Sequence, residues 1–277
     1  MPRAKGNGVE IEYEAFGPAG AEAVLLINGL GSQMTRWPED FCRLLVEKGF
    51  RAIRMDNRDT GLSTHHAAGE AYRLEDMAAD CMGVLDACGV DKAHIVGVSM
   101  GGMIAQMAAI GYPARTLSLT SIMSNTGNPD LPPPPALDVV TGSPPDPKDG
   151  FDAFLAYTVN NAMRISSPAY PWPEGALEAR ARAEHARAFN PAGVQRQMRA
   201  IGATGDRRER LKALKVPTVV LHGADDPLVP LAGGKDTAEN IPGAELRVIE
   251  GMGHDMPPAL YPTFLEAILR AVERSRG

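Results

Sequence analysis

The sequence predicts an α/β protein built on a mostly parallel, doubly wound sheet, with a block of helices inserted between its two parts. Three observations carry this expectation. Short apolar runs alternate with longer stretches whose apolar residues recur at helical spacing. A proline-crowded segment, residues 128–150, then breaks the rhythm, and only helical patterns follow it up to residue 214. Beyond that point the alternation of strand and helix resumes. The 277 residues, 44% hydrophobic and 22% charged, supply enough apolar side chains for one large domain carrying an insertion, and they exclude a disordered chain.

Taken in order, residues 8–16 (GVEIEYEAF) alternate polar and apolar with period two, as expected of an antiparallel edge strand with one wet face. Residues 23–28, 51–56, 93–98 and 116–123 are short apolar runs and read as strands. Between them, residues 37–48, 74–88 and 101–110 read as covering helices. Segment 128–150 is a linker. Residues 151–164, 175–189 and 192–201 read as helices separated by breaks such as SSPAYPWPEG. Their arginines, Arg180, Arg182, Arg187, Arg196 and Arg199, are expected to form a solvated helix face. Strands at 218–222 and 245–250 and helices at 231–240 and 258–273 complete the chain. The expected division is therefore a core of residues 1–126 and 215–277 with a linker and helical cap over 127–214.

Composition narrows the function classes. Lysine and arginine total 28 against 34 acidic residues, a net charge of −6, which offers no broad basic field for nucleic acid. No apolar stretch follows Arg3 and Lys5, and no window approaches the roughly 20 apolar residues of a spanning helix, so no membrane partner is expected. Cys42, Cys81 and Cys88 fall in no metal-ligand spacing. They fit a reduced, cytoplasmic protein without structural zinc or another metal.

The chemistry concentrates at strand ends. Gly97-Val98-Ser99-Met100-Gly101 joins an expected strand to an expected helix, the context of a G-x-S-x-G nucleophile elbow. The turn is sharp, so the positions two before and two after the serine need minimal side chains. A serine hydroxyl needs a base, and the base needs a third group to set its tautomer. Of six histidines, His65 and His66 lie in a polar loop, His94 inside a strand, His185 in an insertion helix, and His222 at a strand end. His254 follows the last strand in the flexible run Gly251-Met252-Gly253 and is the candidate base. Asp225 and Asp226 follow the strand at 218–222. Asp226, held extended by Pro227, is the candidate acid, while Asp225 suits a turn cap. The N–H groups of Met100, just after the serine, and of Leu30, in the turn Asn28-Gly29-Leu30-Gly31, are the candidate oxyanion donors. Met100, Met103, Met123, Met163 and Met198 are side chains that an adaptable substrate cavity could use, although methionine at helical spacing is more often core. Gly29 is expected beside them in the pocket, with the insertion as its roof.

The order Ser99, Asp226, His254, the turn NGLG, the run DNRDTGLS at residues 56–63 and the ending GMGHDMP resemble the α/β-hydrolase superfamily in register. The resemblance covers about residues 8–126 and 215–275; the insertion matches only as a helical cap. Asn28 departs from the histidine of many members. Ser99 stands where epoxide hydrolases and haloalkane dehalogenases have aspartate, which argues against both activities. More narrowly, the chain is similar to methyl esterases of bulky polyketides such as anthracyclines and to macrolide-ester hydrolases. The resemblance implies a cofactor-free carboxylic ester hydrolase acting on a small-molecule ester through an acyl-enzyme. Rivals are a lactonase, a carbon–carbon bond hydrolase, a cofactor-free perhydrolase, and a non-catalytic ligand-binding member. Asp56, Arg58 and Ser63 are expected to brace the sheet edge rather than touch substrate.

Overall fold

The structure, a computed structural model, describes residues 2–142, 145 and 147–277; residues 143, 144 and 146 of the expected linker lie outside them. The first part of the chain contributes β1 (Arg3–Lys5), β2 (Glu10–Phe16), β3 (Ala23–Ile27), α1 (Glu39–Glu47), β4 (Arg51–Met55), α2 (Leu74–Ala87), β5 (Ala93–Val98), α3 (Met100–Gly111) and β6 (Thr116–Ile122). Five helices follow: α4 (Asp138–Thr141), α5 (Gly150–Arg164), α6 (Ala176–Arg187), α7 (Pro191–Thr204) and α8 (Arg208–Leu211). The chain then ends with β7 (Thr218–Gly223), α9 (Leu231–Asn240), β8 (Glu245–Ile249) and α10 (Tyr261–Arg276).

One eight-stranded sheet results, in the order β1-β2-β4-β3-β5-β6-β7-β8. β1 and β2 run antiparallel and every pair from β4–β3 to β7–β8 is parallel. Alternation along the central strands feeds two cores. Leu25 and Ile27 of β3 join Leu74, Cys81, Leu85 and Ile104 on the face covered by α2 and α3. Their neighbours Val24 and Leu26 join Phe41, Leu45, Phe264 and Ile268 under α1 and α10. With both faces covered, β3, β5 and β7 are buried at every position, which is why their sequences are continuous apolar runs.

The edge differs from the expectation. β2 is antiparallel but internal, because β1 pairs outside it. A three-residue strand with one buried side chain, Ala4, is too short to show a period. Among its described residues the linker also holds short helical turns, α4 and a 3-10 turn at Pro147–Asp149.

The strand order reverses at β3: the chain adds β4 on one side of it and then returns to place β5 on the other. At such a reversal the connections leave toward opposite faces of the sheet, so the carboxyl ends of β3 and β5 are where a site is expected. The α4–α8 segment is bonded to the loops at this end of the sheet. Gln197 accepts from Gly31 N–H (2.8 Å) and donates to Arg58 O and Thr60 Oγ1, both at 2.8 Å. Gln33 donates to Glu184 O and Ala188 O.

The arginines of this segment require a correction. Arg187 pairs with the fully buried Asp56 at 2.7 Å, and Arg196 grips the equally buried Asp59 through two 2.8 Å bonds. Arg180 is half-buried over the Trp172 ring, and burial together with neighbouring Arg36 pushes its pKa down to about 10. Of the five, Arg182 and Arg199 are exposed. The reason is electrostatic: Asp56 and Asp59 lie in the loop after β4 with fully buried side chains, and a buried carboxylate persists only with a cation or several donors beside it.

That loop also braces the edge as expected. Asp56 accepts from Met34 N–H and Leu62 N–H, Ser63 Oγ donates to Asp56 O, and Arg58 holds Asp80 through two 2.7 Å bonds. Burial opposes charge on Asp59. Arg196, the His66 N–H and the Tyr72 hydroxyl nevertheless hold its carboxyl below the usual range.

Candidate active site

β5 ends at Val98 and α3 begins at Met100, so the backbone must reverse within one residue. Ser99 makes that reversal at φ 55° and ψ −123°, a region that a non-glycine residue enters only under constraint. The constraint is visible: Ser99 N–H donates to Ile122 O at 2.9 Å, and its carbonyl accepts from Gly102 N–H and Met103 N–H. The flanking glycines follow from contact. A Cβ on Gly97 would overlap Gly101 O and lie 2.6 Å from Gly102 N. One on Gly101 would overlap Ile27 O and lie 2.6 Å from Asn28 O.

His254, 8% exposed, places Nε2 2.9 Å from Ser99 Oγ and Nδ1 2.7 Å from Asp226 Oδ2. The other oxygen of Asp226 accepts from Leu228 N–H (2.9 Å) and Val229 N–H (2.7 Å). An ionised carboxylate only accepts, so Nδ1 carries the proton, and Nε2 is left as the acceptor for the serine hydroxyl. Asp226 faces the histidine as expected, but the turn cap expected of Asp225 is not where Asp225 acts. Asp226 caps its own turn through Oδ1, whereas Asp225 reaches across to accept from Gly251 N–H at 2.9 Å. Pro227 explains this, since it holds Asp226 extended with its side chain over the two N–H groups that follow.

The remaining histidines have structural partners. His65 bonds Gly61 O and His66 N–H bonds Asp59. His94 lies between Ser118 and Glu22, and His185 stacks among Phe151, Phe154 and Phe189. His222 donates from Nε2 to Val229 O at 2.7 Å, and burial holds its pKa down, so it stays neutral beside Asp226.

The turn after β3 comes against the serine. A Cβ on Gly29 would lie 3.1 Å from Ser99 Cβ and 3.5 Å from its Oγ. Leu30, next in the chain, packs on the core cluster, and Met100 opens α3, where the first N–H groups of a helix have no intrahelical acceptor. Asn28 does not organise this turn through its side-chain amide: Nδ2 has no partner among the described residues, and it is the backbone carbonyl of Asn28 that accepts from Asn57 Nδ2. Gln197 supplies the anchor instead.

The methionines are dispersed. Met100 and Met103 belong to the core cluster on one face of the sheet, and Met123 to that on the other. Met163 is 63% exposed at the end of α5, and Met198 is half-buried on α7. Sequence reasoning missed Gln33, Ser167, Trp172, Gln197 and Asp255. All lie in or against the helical segment; Asp255 falls within the run GMGHDMP, but nothing in that run assigned it a role, and no motif marked the others. Among the described residues no group of three His, Cys, Asp or Glu side chains could hold a metal, and no helix is long and apolar enough to cross a membrane.

A hydroxyl bonded to a neutral imidazole whose second nitrogen faces a carboxylate can be deprotonated as it attacks a carbonyl carbon. The turn after β3 and the first turn of α3 both lie beside Ser99. Comparison with known proteins points to a hydrolase family. A model of the alpha/beta hydrolase fold matches residues 22–257. The chain is 30% identical to a rhodomycin D methylesterase of Streptomyces sp. (strain C5), covering 94% of each chain. It is 32% identical to a putative carbamate hydrolase of Variovorax paradoxus (strain S110), covering 88% of this chain and 89% of the other. A meta-cleavage product hydrolase from Pseudomonas fluorescens IP01 superposes with a TM-score of 0.80 at 22% identity, over 99% of this chain and 98% of that one, and shares its fold.

Proposed function

The chain belongs to the alpha/beta hydrolase fold family, and we propose that this hydrolase cleaves carboxylic esters through an acyl-enzyme on Ser99. The observation that carries the reading is the continuous hydrogen-bonded series from Ser99 Oγ through His254 to Asp226, at 2.9 and 2.7 Å.

In the proposed reaction Ser99 Oγ attacks the ester carbonyl while its proton passes to His254 Nε2. Asp226 stabilises the imidazolium, and its own orientation is kept by the N–H groups of Leu228 and Val229. The N–H groups of Met100 and Leu30 receive the oxyanion, each such donor being worth about 2.7–4 kcal/mol. Collapse expels the alcohol, which takes the proton from His254. Water, deprotonated by the same nitrogen, then attacks the acyl-serine carbonyl; the acid leaves and the proton returns to Ser99. All proton transfers are handled by the chain's own side chains.

For substrate we infer a methyl or other small-alcohol ester of a bulky acid. The methylesterase relative, aligned over nearly the whole of both chains, supports it. The carbamate hydrolase relative favours one second reading, attack on a carbamate carbonyl by the same serine.

The test is steady-state hydrolysis of p-nitrophenyl acetate, butyrate and octanoate, of polycyclic methyl esters and of carbamates by wild type and Ser99→Ala. Circular dichroism checks that both are folded. Loss of activity by several orders of magnitude in Ser99→Ala is expected, and a variant keeping most of its turnover would sink the serine mechanism. Preference for carbamates over every ester would replace the substrate assignment.

A further inference from the structure

The loop that carries His254 is held from two sides. On the sheet side, Asp225 N–H donates to Met252 O at 3.1 Å and Asp225 Oδ2 accepts from Gly251 N–H. On the other side the loop lies against residues 165–172, between α5 and α6. Ala169 N–H donates to Gly251 O (3.1 Å), Gly253 N–H to Ser167 Oγ (2.9 Å) and His254 N–H to Ile165 O (2.7 Å). The two backbones touch so closely that a Cβ on Gly253 would lie 2.6 Å from Ile165 O.

Asp255 completes the contact. Its Oδ1 accepts from Ser167 N–H at 3.0 Å and from the Ser167 hydroxyl, and its Oδ2 accepts from Trp172 Nε1–H at 2.7 Å. Ser167 is thus bonded to both neighbours of the histidine, Gly253 and Asp255. The Trp172 ring is in turn covered by the Arg180 guanidinium at 4.8 Å. Arg180 is on α6, as is Glu184, which Arg36 grips at 2.8 and 3.0 Å in the region after β3. Both oxygens of Asp255 are engaged by segment 165–172, and neither reaches Ser99 or His254.

We propose that Asp255 is a positioning residue: by fastening segment 165–172 to the histidine loop, it sets the alignment of His254 on Ser99. The base is then correctly placed only while that segment is seated. This inference rests on the acyl-enzyme reading of Ser99. A carboxylate that accepts three donors at once suits the task, because charge-assisted bonds are short and directional, and displacement of a reacting group by about 1 Å can cost a hundredfold in rate.

The experiment compares wild type with Asp255→Ala, Asp255→Asn and Trp172→Phe in two measurements. One is kcat and KM on p-nitrophenyl acetate. The other is the second-order rate of inactivation by phenylmethylsulfonyl fluoride, a reagent that needs the serine and its base but little binding surface. Asp255→Ala is expected to lower kcat about tenfold or more, leave KM within about twofold, and slow inactivation by the same factor as kcat. Asp255→Asn should recover part of both losses, because its amide oxygen still accepts from Ser167. Trp172→Phe, which removes one hydrogen bond and keeps a ring under Arg180, should give a smaller parallel loss, and it carries the test if Asp255→Ala does not fold. Unchanged inactivation with a raised KM would mean that the segment only shapes the substrate cavity, and would overturn the proposal. A folded wild type that the reagent leaves unmodified would overturn the acyl-enzyme reading and this inference with it, whereas a modified wild type with unaffected variants overturns this inference alone.

Discussion

Replacing Arg196 with methionine removes the guanidinium that holds Asp59 while keeping much of the side chain's apolar bulk. Arg196 is 10% exposed at its side chain and Asp59 not at all, and two 2.8 Å bonds join them. Breaking a buried pair by deleting one partner costs about 3–5 kcal/mol. Asp59 would still accept from the Tyr72 hydroxyl and His66 N–H, both at 2.8 Å, which places the expected cost near the low end, about 3 kcal/mol. At roughly 2–4 °C per kcal/mol for chains approaching this size, Tm should fall by about 6–12 °C at pH 7. The pH dependence has a definite sign. The folded-state pKa of Asp59 is lowered, so its pairing contributes fully above the unfolded value of about 3.9 and is lost as pH falls through the depressed folded value. The Tm difference between wild type and Arg196→Met should therefore be constant near neutrality and shrink in that acid window. Differential scanning calorimetry across pH reads both effects. A drop of less than about 1 °C at pH 7 would refute the reasoning, since the pair would then behave as an exposed one.

Gly101→Ala should destabilise by about 3 kcal/mol or more, because its Cβ would overlap Ile27 O and crowd Asn28 O. A urea midpoint equal to wild type would show that the elbow tolerates relaxation there. Asp226→Asn should leave Tm nearly unchanged, as the amide oxygen still accepts from Leu228 and Val229. The amide nitrogen would face His254 Nδ1 and enforce the wrong tautomer, lowering kcat by roughly 10⁴-fold. A loss below tenfold in ester hydrolysis would remove Asp226 from the proposed mechanism.

Much of the site was legible because its signals are local. The G-x-S-x-G run needs only five residues to announce a turn that closes without side chains, and the overlaps around Gly97 and Gly101 are the physical content of that pattern. His254 and Asp226 could be chosen because each follows a recognisable strand, and strand ends on one side of a parallel sheet converge. The arginines show the opposite case. Arg187 and Arg196 occupy helices with a charged, surface-like pattern, and their partners Asp56 and Asp59 lie more than 130 residues away in sequence. Likewise β1 carries no periodicity, and Asp255 looks like any polar loop residue until Ser167 and Trp172 are seen against it.

By itself, then, the sequence determined most of the strands and helices, though not β1 or α4, that helices cover a parallel sheet, and which serine, histidine and aspartate stand at its strand ends. These follow from side-chain periodicity, backbone sterics and chain order, which act over a few residues. Only the tertiary structure decided how the helical segment is fastened over those ends: Asp56 and Asp59 to arginines, Gly31 to Gln197, the histidine loop to Ser167 and Trp172. Such pairings depend on which buried polar group is left without water when distant elements meet, and no local pattern records it.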